Sequence, residues 1–259
     1  MRKRTGGDGR LMALGIALVL AAAPMSAAET KLRILSAGVD FDYFSRTVGW
    51  EGEAEASRVQ ASLISARAEF GLGKGLTFSL AVGLSLSELK GLIFDSLPIS
   101  LEFDASALKG FALGAEVVAP FMKLGDFEIG AAGRFVYSHG QARTWPIEDF
   151  AVEGKATGRA NWMEASGGPR LAYNISGGFF VPYIEVAARW LKVDFRMDEI
   201  LDDLEGTETK RIKGDVSFSV SIGGDIKVSD RLTVRAKAGI LPYSGGVDGM
   251  ASVGLFYTF

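Results

Sequence analysis

The last nine residues constrain the fold more than any other stretch of the chain. An apolar set alternates there with a mostly small or polar set: Ala251, Val253, Leu255, Tyr257 and Phe259 against Ser252, Gly254, Phe256 and Thr258. Because successive side chains of a strand point to opposite faces, the first set forms one apolar face that ends in two aromatic rings. The ends of soluble domains usually fray into water. The pattern instead predicts a strand that closes a membrane barrel, with one face in lipid and the other in the lumen.

Residues 1–28 have the three parts of a secretory signal. Four basic residues precede an apolar run from Leu11 to Ala23, and Ser26-Ala27-Ala28 then supplies small residues for cleavage. The apolar run is too short for a membrane helix, which needs about 20 residues. We therefore predict export, with residues 1–28 as a signal peptide and residues 29–259 as one domain.

The charge and the cysteine count exclude several functions. Residues 29–259 carry 24 basic and 30 acidic side chains, a net charge of −6 without a basic stripe. Nucleic-acid binding is therefore not expected. Cysteine is absent, which excludes disulfides, a thiol nucleophile and cysteine metal sites.

Period-two alternation recurs through the chain and defines ten segments. The clearest internal one has Leu76, Phe78, Leu80, Val82, Leu84 and Leu86 opposite small or polar residues. Short connections (73–75, 120–126, 174–178, 228–231) alternate with mostly longer ones (45–55, 88–104, 138–158, 196–214, 244–249). Outer-membrane barrels have an even number of strands, short periplasmic turns and long external loops. The sequence thus predicts an all-β fold, a transmembrane antiparallel up-and-down β-barrel of about ten strands with both termini in the periplasm.

The aromatic residues support the barrel over a soluble sandwich. Phe70, Phe127, Tyr173, Phe180, Tyr257 and Phe259 fall near the short turns, and Tyr43, Tyr137 and Trp190 fall near the long loops. Amphipathic rings prefer the two membrane interfaces, so two girdles are expected. One alternative concerns the strand count. Either the third and fourth strands form a projecting hairpin with a turn at 95–98, or Lys109-Gly110 is a turn and a twelve-strand barrel takes another strand from 140–160.

The whole pattern resembles the bacterial outer-membrane β-barrel proteins as a class. The terminal Val253, Leu255, Tyr257 and Phe259 are similar to the C-terminal assembly signal of these proteins. The resemblance implies location in the bacterial outer membrane, contact with its lipid and lipopolysaccharide, and recognition of the last strand by the barrel assembly machinery. It covers the whole chain and does not identify a subfamily.

Fifteen ionisable residues are predicted to face the lumen. They are Asp40, Asp42, Arg67, Glu69, Glu116, Glu128, Arg134, Glu164, Arg170, Glu185, Arg189, Asp215, Asp225, Arg235 and Lys237. Buried charges persist only when they are paired or hydrated. We expect them to pair across a narrow lumen and fill it. The alternative is a narrow conduit that favours cations, since nine of the fifteen are acidic.

Catalytic and metal-binding patterns are weak. His139 is the single histidine, and its neighbour Ser138 points to the opposite face of a strand. Omptin-type outer-membrane proteases are also ten-stranded and use an Asp-His pair with an Asp pair. Asp40 and Asp42 share the spacing of the Asp pair, but no Asp-x-His exists here, so no catalytic residue is assigned. The acidic residues at 198–205 lack the order of a calcium loop, and no metal or cofactor is expected.

These observations predict a non-enzymatic integral barrel that is structural or presents loops, with a lumen largely plugged by charged side chains. The alternatives are a narrow, weakly cation-selective channel for small solutes and, third, an outer-membrane hydrolase.

Removing the terminal aromatic residue tests the assembly signal. Deletion of Phe259 should lower the amount of folded protein in the outer membrane, because the apolar face of the last strand loses its final ring. The measurement is the fraction that migrates as folded barrel on unheated SDS gels. Phe218→Ala, which removes a lipid-facing ring from an internal segment, is the matched control and should have the smaller effect. Normal membrane yield for the deletion would contradict the assignment.

Overall fold

The computed structural model describes residues 32–51, 56–72, 75–98, 101–147, 154–212, 215–243 and 245–259, with the backbone alone at 101–107 and 215. The predicted signal peptide, residues 1–28, lies outside these residues and stays a prediction. No helix in the described part of the chain is long and apolar enough to cross a membrane.

Strands make up nearly all of the described chain. They are β1 (Arg33–Gly49), β2 (Ala56–Gly71), β3 (Thr77–Phe94), β4 (Leu101–Leu124), β5 (Phe127–Gly140), β6 (Arg143–Ile147), β7 (Gly154–Tyr173), β8 (Phe180–Leu201), β9 (Leu204–Arg211), β10 (Asp215–Ser229), β11 (Leu232–Tyr243) and β12 (Gly246–Thr258). A 3-10 turn at Ser176–Gly178 joins β7 to β8.

Ten of these strands close into a ring through antiparallel pairing. The order is β1, β2, β3, β4, β5, β7, β8, β10, β11, β12 and back to β1. The short strands β6 and β9 pair with β7 and β8 beyond the ends of β5 and β10. They therefore lengthen the wall at one end and add no strand to the circumference. The predicted antiparallel up-and-down barrel is confirmed.

The pairing of β3 with β4 decides between the two strand counts. Leu86 pairs with Lys109, and the ladder continues to Phe94 and Leu101. The alternative turn at Lys109-Gly110 is therefore wrong, because both residues lie inside a continuous strand. The segment 140–160 does contain an extra strand, β6. It pairs with β7 beyond the end of β5, so β5 and β6 occupy the same position around the ring.

The stagger of the ring sets the tilt of its strands. Following paired residues from Asp40 through β2 to β7 leads to Val193 on β8, and following them through β12 to β10 leads to Val181. The ring thus closes with a shear of twelve residues. For ten strands this stagger requires a steep tilt, of roughly 35–45° as in other barrels, and an interior only a few side chains wide.

The two ends of the barrel differ. At the turn end the strands are joined by short connections, including the two-residue turn at 125–126, and both described chain ends lie there. At the hairpin end the predicted long loops are largely replaced by strand. The segment 196–214 is mostly β8 and β9, and 45–55 begins as β1. The loop predictions were wrong there because their charged residues occupy one face of strands whose other face is buried.

The outer face of the barrel toward the turn end is apolar, as predicted. Val39, Ile64, Val82, Ile184 and Leu255 are all exposed on the outside of the ring. Toward the hairpin end the apolar residues change sides. On β8 the outward set ends at Trp190, and Leu191, Val193, Phe195 and Met197 are buried inside, while Lys192, Asp194, Arg196 and Asp198 face outward. The change of face marks where the outer surface passes from lipid to water.

Two outward side chains on opposite sides of that boundary test it. Val220 is 43% exposed and Ile200 is 50% exposed. Val220→Arg should lower the free energy of unfolding by about 2–4 kcal/mol, because the charge would lie in lipid. Ile200→Arg should change it by less than about 0.5 kcal/mol, because the side chain already meets water. Reversible unfolding in lipid vesicles measures both, and equal losses would reject the boundary.

Candidate functional site: the barrel lumen

The predicted lumen residues lie on the inner face of the ring, toward the turn end. Asp40, Asp42, Glu164, Glu185 and Arg189 are buried, and several of the others are half-buried. The side chain of Asp215 lies outside the described residues. The alternation of β-strands places these side chains inside, since each sits between two lipid-facing neighbours.

Arg67 on β2 binds two carboxylates, one on the neighbouring strand β1 and one on β4, which β3 separates from β2. Its guanidinium donates to Asp40 on β1 at 2.6 Å and to Glu116 on β4 at 2.5 Å. Ser65 donates to the other oxygen of Asp40 at 2.8 Å. Arg67 and Asp40 are thus each fixed by more than one hydrogen bond, and Glu116 is fixed by its bond from Arg67.

Arg134 and Asp42 form the pair that crosses the lumen. Two nitrogens of Arg134 donate to the two oxygens of Asp42, at 2.9 and 2.7 Å. Arg134 stands on β5 and Asp42 on β1, with three strands of the ring between them. Forked arginine–carboxylate pairs are strong and directional, so this bond ties opposite parts of the wall together.

Arg235 on β11 also joins strands that are not neighbours in the ring. It donates to Glu69 on β2 at 2.6 Å and to Asp225 on the neighbouring β10 at 3.0 Å. Its guanidinium also lies 4.6 Å from the ring centre of Phe256. Ser36 donates to the second oxygen of Glu69. The guanidinium of Arg235 thus contacts two carboxylates and one aromatic ring.

The remaining charges are arranged less uniformly. Arg189 donates to Glu164 at 2.6 Å and to Ser219 at 2.9 Å, whereas Lys237 approaches Glu185 only to 3.9 Å. Two others differ from the expected arginine–carboxylate pairing across the lumen. Arg170 stacks on the ring of Tyr183 at 4.1 Å, and Glu128 pairs at 3.2 Å with the exposed Lys123 at the rim of the turn end.

An apolar layer fills the lumen at the hairpin end, and the sequence reasoning missed it. Leu92, Phe94, Phe195 and Met197 are all 0% exposed. The rings of Phe94 and Phe195 lie 5.4 Å apart. The expectation of a lumen plugged by charges alone was therefore incomplete. The sequence did contain a signal, because the spacing of two between apolar residues breaks at these points. The next apolar residue after Leu86 is Leu89, and the next after Trp190 is Leu191.

Aromatic contacts join the apolar layer to the polar one. Trp162 packs edge-on against Phe44, with ring centres 5.2 Å apart, and its indole nitrogen donates to Ser87 at 3.0 Å. Two small cavities of about 10 and 20 Å³ lie nearby, both lined in part by Arg134 and Val136. Each has room for about one water molecule.

Among the described residues, three ionisable side chains that are fully buried at the hairpin end were absent from the predicted lumen set. They are Arg46, Glu199 and Asp248, all buried. Asp248 accepts hydrogen bonds from the backbone N–H and the hydroxyl of Thr47, at 2.5 and 3.1 Å. These residues were assigned to loops from the sequence, so their inward direction could not be predicted.

Ser138 and His139 point to opposite sides of β5. Ser138 is buried and shares a hydrogen bond with Ser85 at 2.6 Å, whereas His139 is exposed on the outer surface. Transfer of the Ser138 hydroxyl proton to the imidazole of His139 is therefore not possible in this arrangement. Among the described residues no group of three or more histidine, cysteine, aspartate or glutamate side chains is placed to hold a metal ion.

Comparison with known proteins finds fold likeness only among solved structures. A scan against protein-family models and a search of curated proteins both find no match. The chain is similar to the translocator domain of autotransporter NalP from Neisseria meningitidis, at 11% identity over 97% of this chain and 96% of that chain, with a TM-score of 0.48. It is similar to the outer membrane protease OmpT from Escherichia coli at 10% identity, over 92% and 100%, with a TM-score of 0.46. It is similar to the attachment invasion locus protein Ail of Yersinia pestis at 12% identity, over 88% of this chain and 100% of that chain, with a TM-score of 0.34.

The geometry defines the class of the protein. The strands pair their backbone hydrogen-bonding groups in a closed ring. Toward the turn end the outer face is apolar, and the interior holds charged side chains that pair with each other. Among strand structures only a closed barrel can satisfy its backbone in lipid. The chain therefore has the fold of a membrane-spanning β-barrel, the fold of outer-membrane proteins.

Breaking the cross-lumen pair tests the energetic role of the charges. Asp42→Asn leaves the Arg134 guanidinium without its charged partner and should lower the free energy of unfolding by about 3–5 kcal/mol. Lys123→Gln removes one partner of the rim pair, in which Lys123 is 69% exposed, and should cost less than about 1 kcal/mol. Reversible unfolding in detergent or vesicles compares the two. Similar small losses would show that Asp42 and Arg134 are hydrated independently.

Proposed function

We propose that this protein is a closed, non-enzymatic outer-membrane barrel that presents rigid β-hairpins outside the cell. The observation that carries the proposal is the apolar layer at the hairpin end, formed by Leu92, Phe94, Phe195 and Met197 with their neighbours. A lumen with such a layer is a poor path for ions or polar solutes.

The physical reason is hydration. An ion that enters a narrow apolar segment must give up water without receiving polar ligands, and such constrictions close channels by excluding water. Buried side chains around Phe94 and Phe195 form a packed core there, as in the interior of a soluble protein. The layer would therefore obstruct the lumen even if every charged side chain below it were removed.

The charged layer is a second obstruction. Arg134 and Asp42 cross the lumen, and Arg67 and Arg235 each hold two carboxylates. Guanidinium groups held in forked pairs are poorly suited to exchange partners with a passing cation. This arrangement favours the plugged barrel over the narrow cation-selective channel.

The hairpins supply the presenting surface. β8 extends eleven residues beyond Trp190, to Leu201, which corresponds to roughly 35 Å along the strand at about 3.3 Å per residue. The inner side of this extension is buried in the apolar layer, so the hairpin is held upright. Its tip carries the exposed Ile200 and Leu204, which are available to water or to other molecules.

The placement of Ser138 and His139 supports a non-enzymatic role. The hydroxyl is engaged inside the wall while the imidazole lies outside it. Nucleophilic catalysis by serine needs a base within hydrogen-bond reach. Replacement of His139 by Ala should therefore leave every function of the protein unchanged.

We further propose that the barrel assembly machinery recognises the last strand. Val253, Leu255, Tyr257 and Phe259 are all exposed on the outer surface, and the rings of Tyr257 and Phe259 contact each other at 5.5 Å. An apolar, aromatic-ended strand with one free edge before closure offers both backbone and side-chain features to a partner.

Conductance of variants with one or both layers reduced tests the closed lumen. The protein itself should give no large, steady openings in planar bilayers. Arg134→Ala with Arg189→Ala reduces the charged layer, and Phe94→Ala with Phe195→Ala reduces the apolar layer. Each pair alone should leave the bilayer closed to large currents, because the other layer remains. The four substitutions together should produce openings.

The folded state of each variant is checked by its altered migration on unheated gels, so silence from an unfolded barrel is recognised. Lys123→Ala with Lys227→Ala, at the rim of the turn end, is the matched control for lost charge. Large stable openings by the unchanged protein would overturn the proposal and favour a channel.

A further inference from the structure

We infer that Arg170, just inside the opening of the lumen at the turn end, binds the carboxylate group of a molecule that enters from that end, the predicted periplasmic side. Arg170 is an inward residue of β7 between the exposed Pro169 and Leu171, and its own side chain is half-buried. It lies three residues before Tyr173, where β7 ends at the turn. A molecule that enters the lumen from the turn end can therefore reach the guanidinium.

Arg170 differs from the other arginines of the predicted lumen set because no carboxylate of the barrel holds it. Each of the others donates to at least one carboxylate: Arg67, Arg134, Arg189 and Arg235. Among the described residues, Arg170 forms no ion pair or hydrogen bond, and its Nε is buried without a partner. A cation inside the wall without a counter-ion is unfavourable. A carboxylate supplied from outside would therefore stabilise this part of the lumen.

The two acidic residues nearest to Arg170 in the strand ladders bind lysines instead. Glu185 is the partner of Arg170 across β7 and β8, but its carboxylate lies 3.9 Å from Lys237. Glu128 stands on the other neighbour, β5, opposite the residue two positions beyond Arg170, and it pairs with Lys123 at 3.2 Å. The acids of the barrel that could neutralise Arg170 are thus already engaged with other cations.

An aromatic ring on the wall orients the guanidinium of Arg170. The guanidinium carbon lies 4.1 Å from the ring centre of Tyr183. A Cβ atom at Gly223 would lie 2.4 Å from the Tyr183 ring, so only a residue without a side chain lets the ring pack against β10 in this way. On the other side of Arg170, its β5 partner Gly130 also adds no side chain. Stacking leaves the edge of a guanidinium free to donate, so Arg170 is oriented in advance for a planar acceptor.

The surroundings favour a carboxylate over a phosphate. Glu69 and Asp225 are inward residues near the same opening, where both accept from Arg235. Their charges would repel a dianion more strongly than a monoanion. A carboxylate also presents two oxygens in one plane, which matches the forked nitrogens of Arg170. The hydroxyl of Tyr183 forms no hydrogen bond with a described residue and is available as a further donor. This inference does not depend on whether the lumen conducts.

Chemical modification of the purified full-length barrel in detergent tests the site. Phenylglyoxal modifies free guanidinium groups, and mass spectrometry of the resulting peptides measures the reaction at each arginine separately. Arg170 should react fastest in the predicted lumen set, because the other arginines there are held in ion pairs. Acetate should slow the reaction at Arg170, whereas the uncharged acetamide should not. Inorganic phosphate should protect less than acetate does.

Two further probes identify the source of the carboxylate. They are a short peptide with a free terminal carboxylate and the same peptide with an amidated terminus. Protection of Arg170 by both acetate and the free peptide would support a site for small carboxylates in general. Protection by the free peptide alone would support a site for a peptide terminus.

A pair of variants separates the proposed site from a general effect of charge. Tyr183→Leu removes the ring and the hydroxyl, and should raise the carboxylate concentration that halves the reaction rate at Arg170 by roughly 10-fold. Lys227→Gln removes an exposed cation at the same end and should change this concentration by less than about 2-fold. Migration on unheated gels confirms that each variant is folded before the reaction starts.

Several results would overturn the inference. If Arg170 reacts no faster than Arg134, it has a counter-ion of its own in the barrel. The absence of protection by every carboxylate, or equal protection by acetamide and the amidated peptide, would exclude a carboxylate site. Stronger protection by phosphate than by acetate would assign the wrong class of anion. Equal effects of Tyr183→Leu and Lys227→Gln would show that only the net charge of this end matters.

Discussion

The structure depends on one constraint, that backbone groups in lipid must be bonded to each other. Pairing of β1 with β12 meets it, since the ladder runs from Ser36 opposite Thr258 to Phe44 opposite Met250. The terminal Phe259 adds a backbone bond to Leu35 at 3.1 Å. Once the ring is closed, no edge remains in the membrane, and the terminal strand becomes as necessary as any internal one. The terminal apolar alternation reflects this requirement, because a strand that both closes the ring and faces lipid has little freedom in sequence.

Closure then determines what the interior can hold. Ten strands with a shear of twelve enclose a space that a few long side chains can cross. Charged groups in such a space are stable only with partners, and the strand positions of Arg134 and Asp42 show that the partners need not be neighbours along the wall. Such a bond fixes the cross-section as well as the charge. The polar layer therefore also supports the shape of the ring.

The sequence alone predicted the features that repeat and missed those that depend on the closed ring. Alternation, ten circumferential strands and the inward direction of residues such as Arg67 and Glu164 follow from strand geometry. The partner of each charge does not, because the stagger decides which strand positions meet, and Glu128 consequently pairs at the rim with Lys123. The hairpin extensions were missed for a different reason. Beyond Trp190 the apolar residues move to the other face, and the charged outward set resembles a loop.

That change of face links the two ends of the molecule. Below it, lipid surrounds an apolar exterior and the charges are inside. Above it, water surrounds a charged exterior and the apolar residues are inside, as in a soluble β-protein. A strand such as β8 crosses both environments without interruption. In the sequence, the boundary is visible only as the change in which face of the strand carries the apolar residues. The apolar layer inside the hairpin end and the charged outer surface around it are thus two faces of the same strand segments. Leu191 and Val193 point inward where Lys192 and Asp194 point outward, and the burial of the first set positions the second at the edge of the lipid.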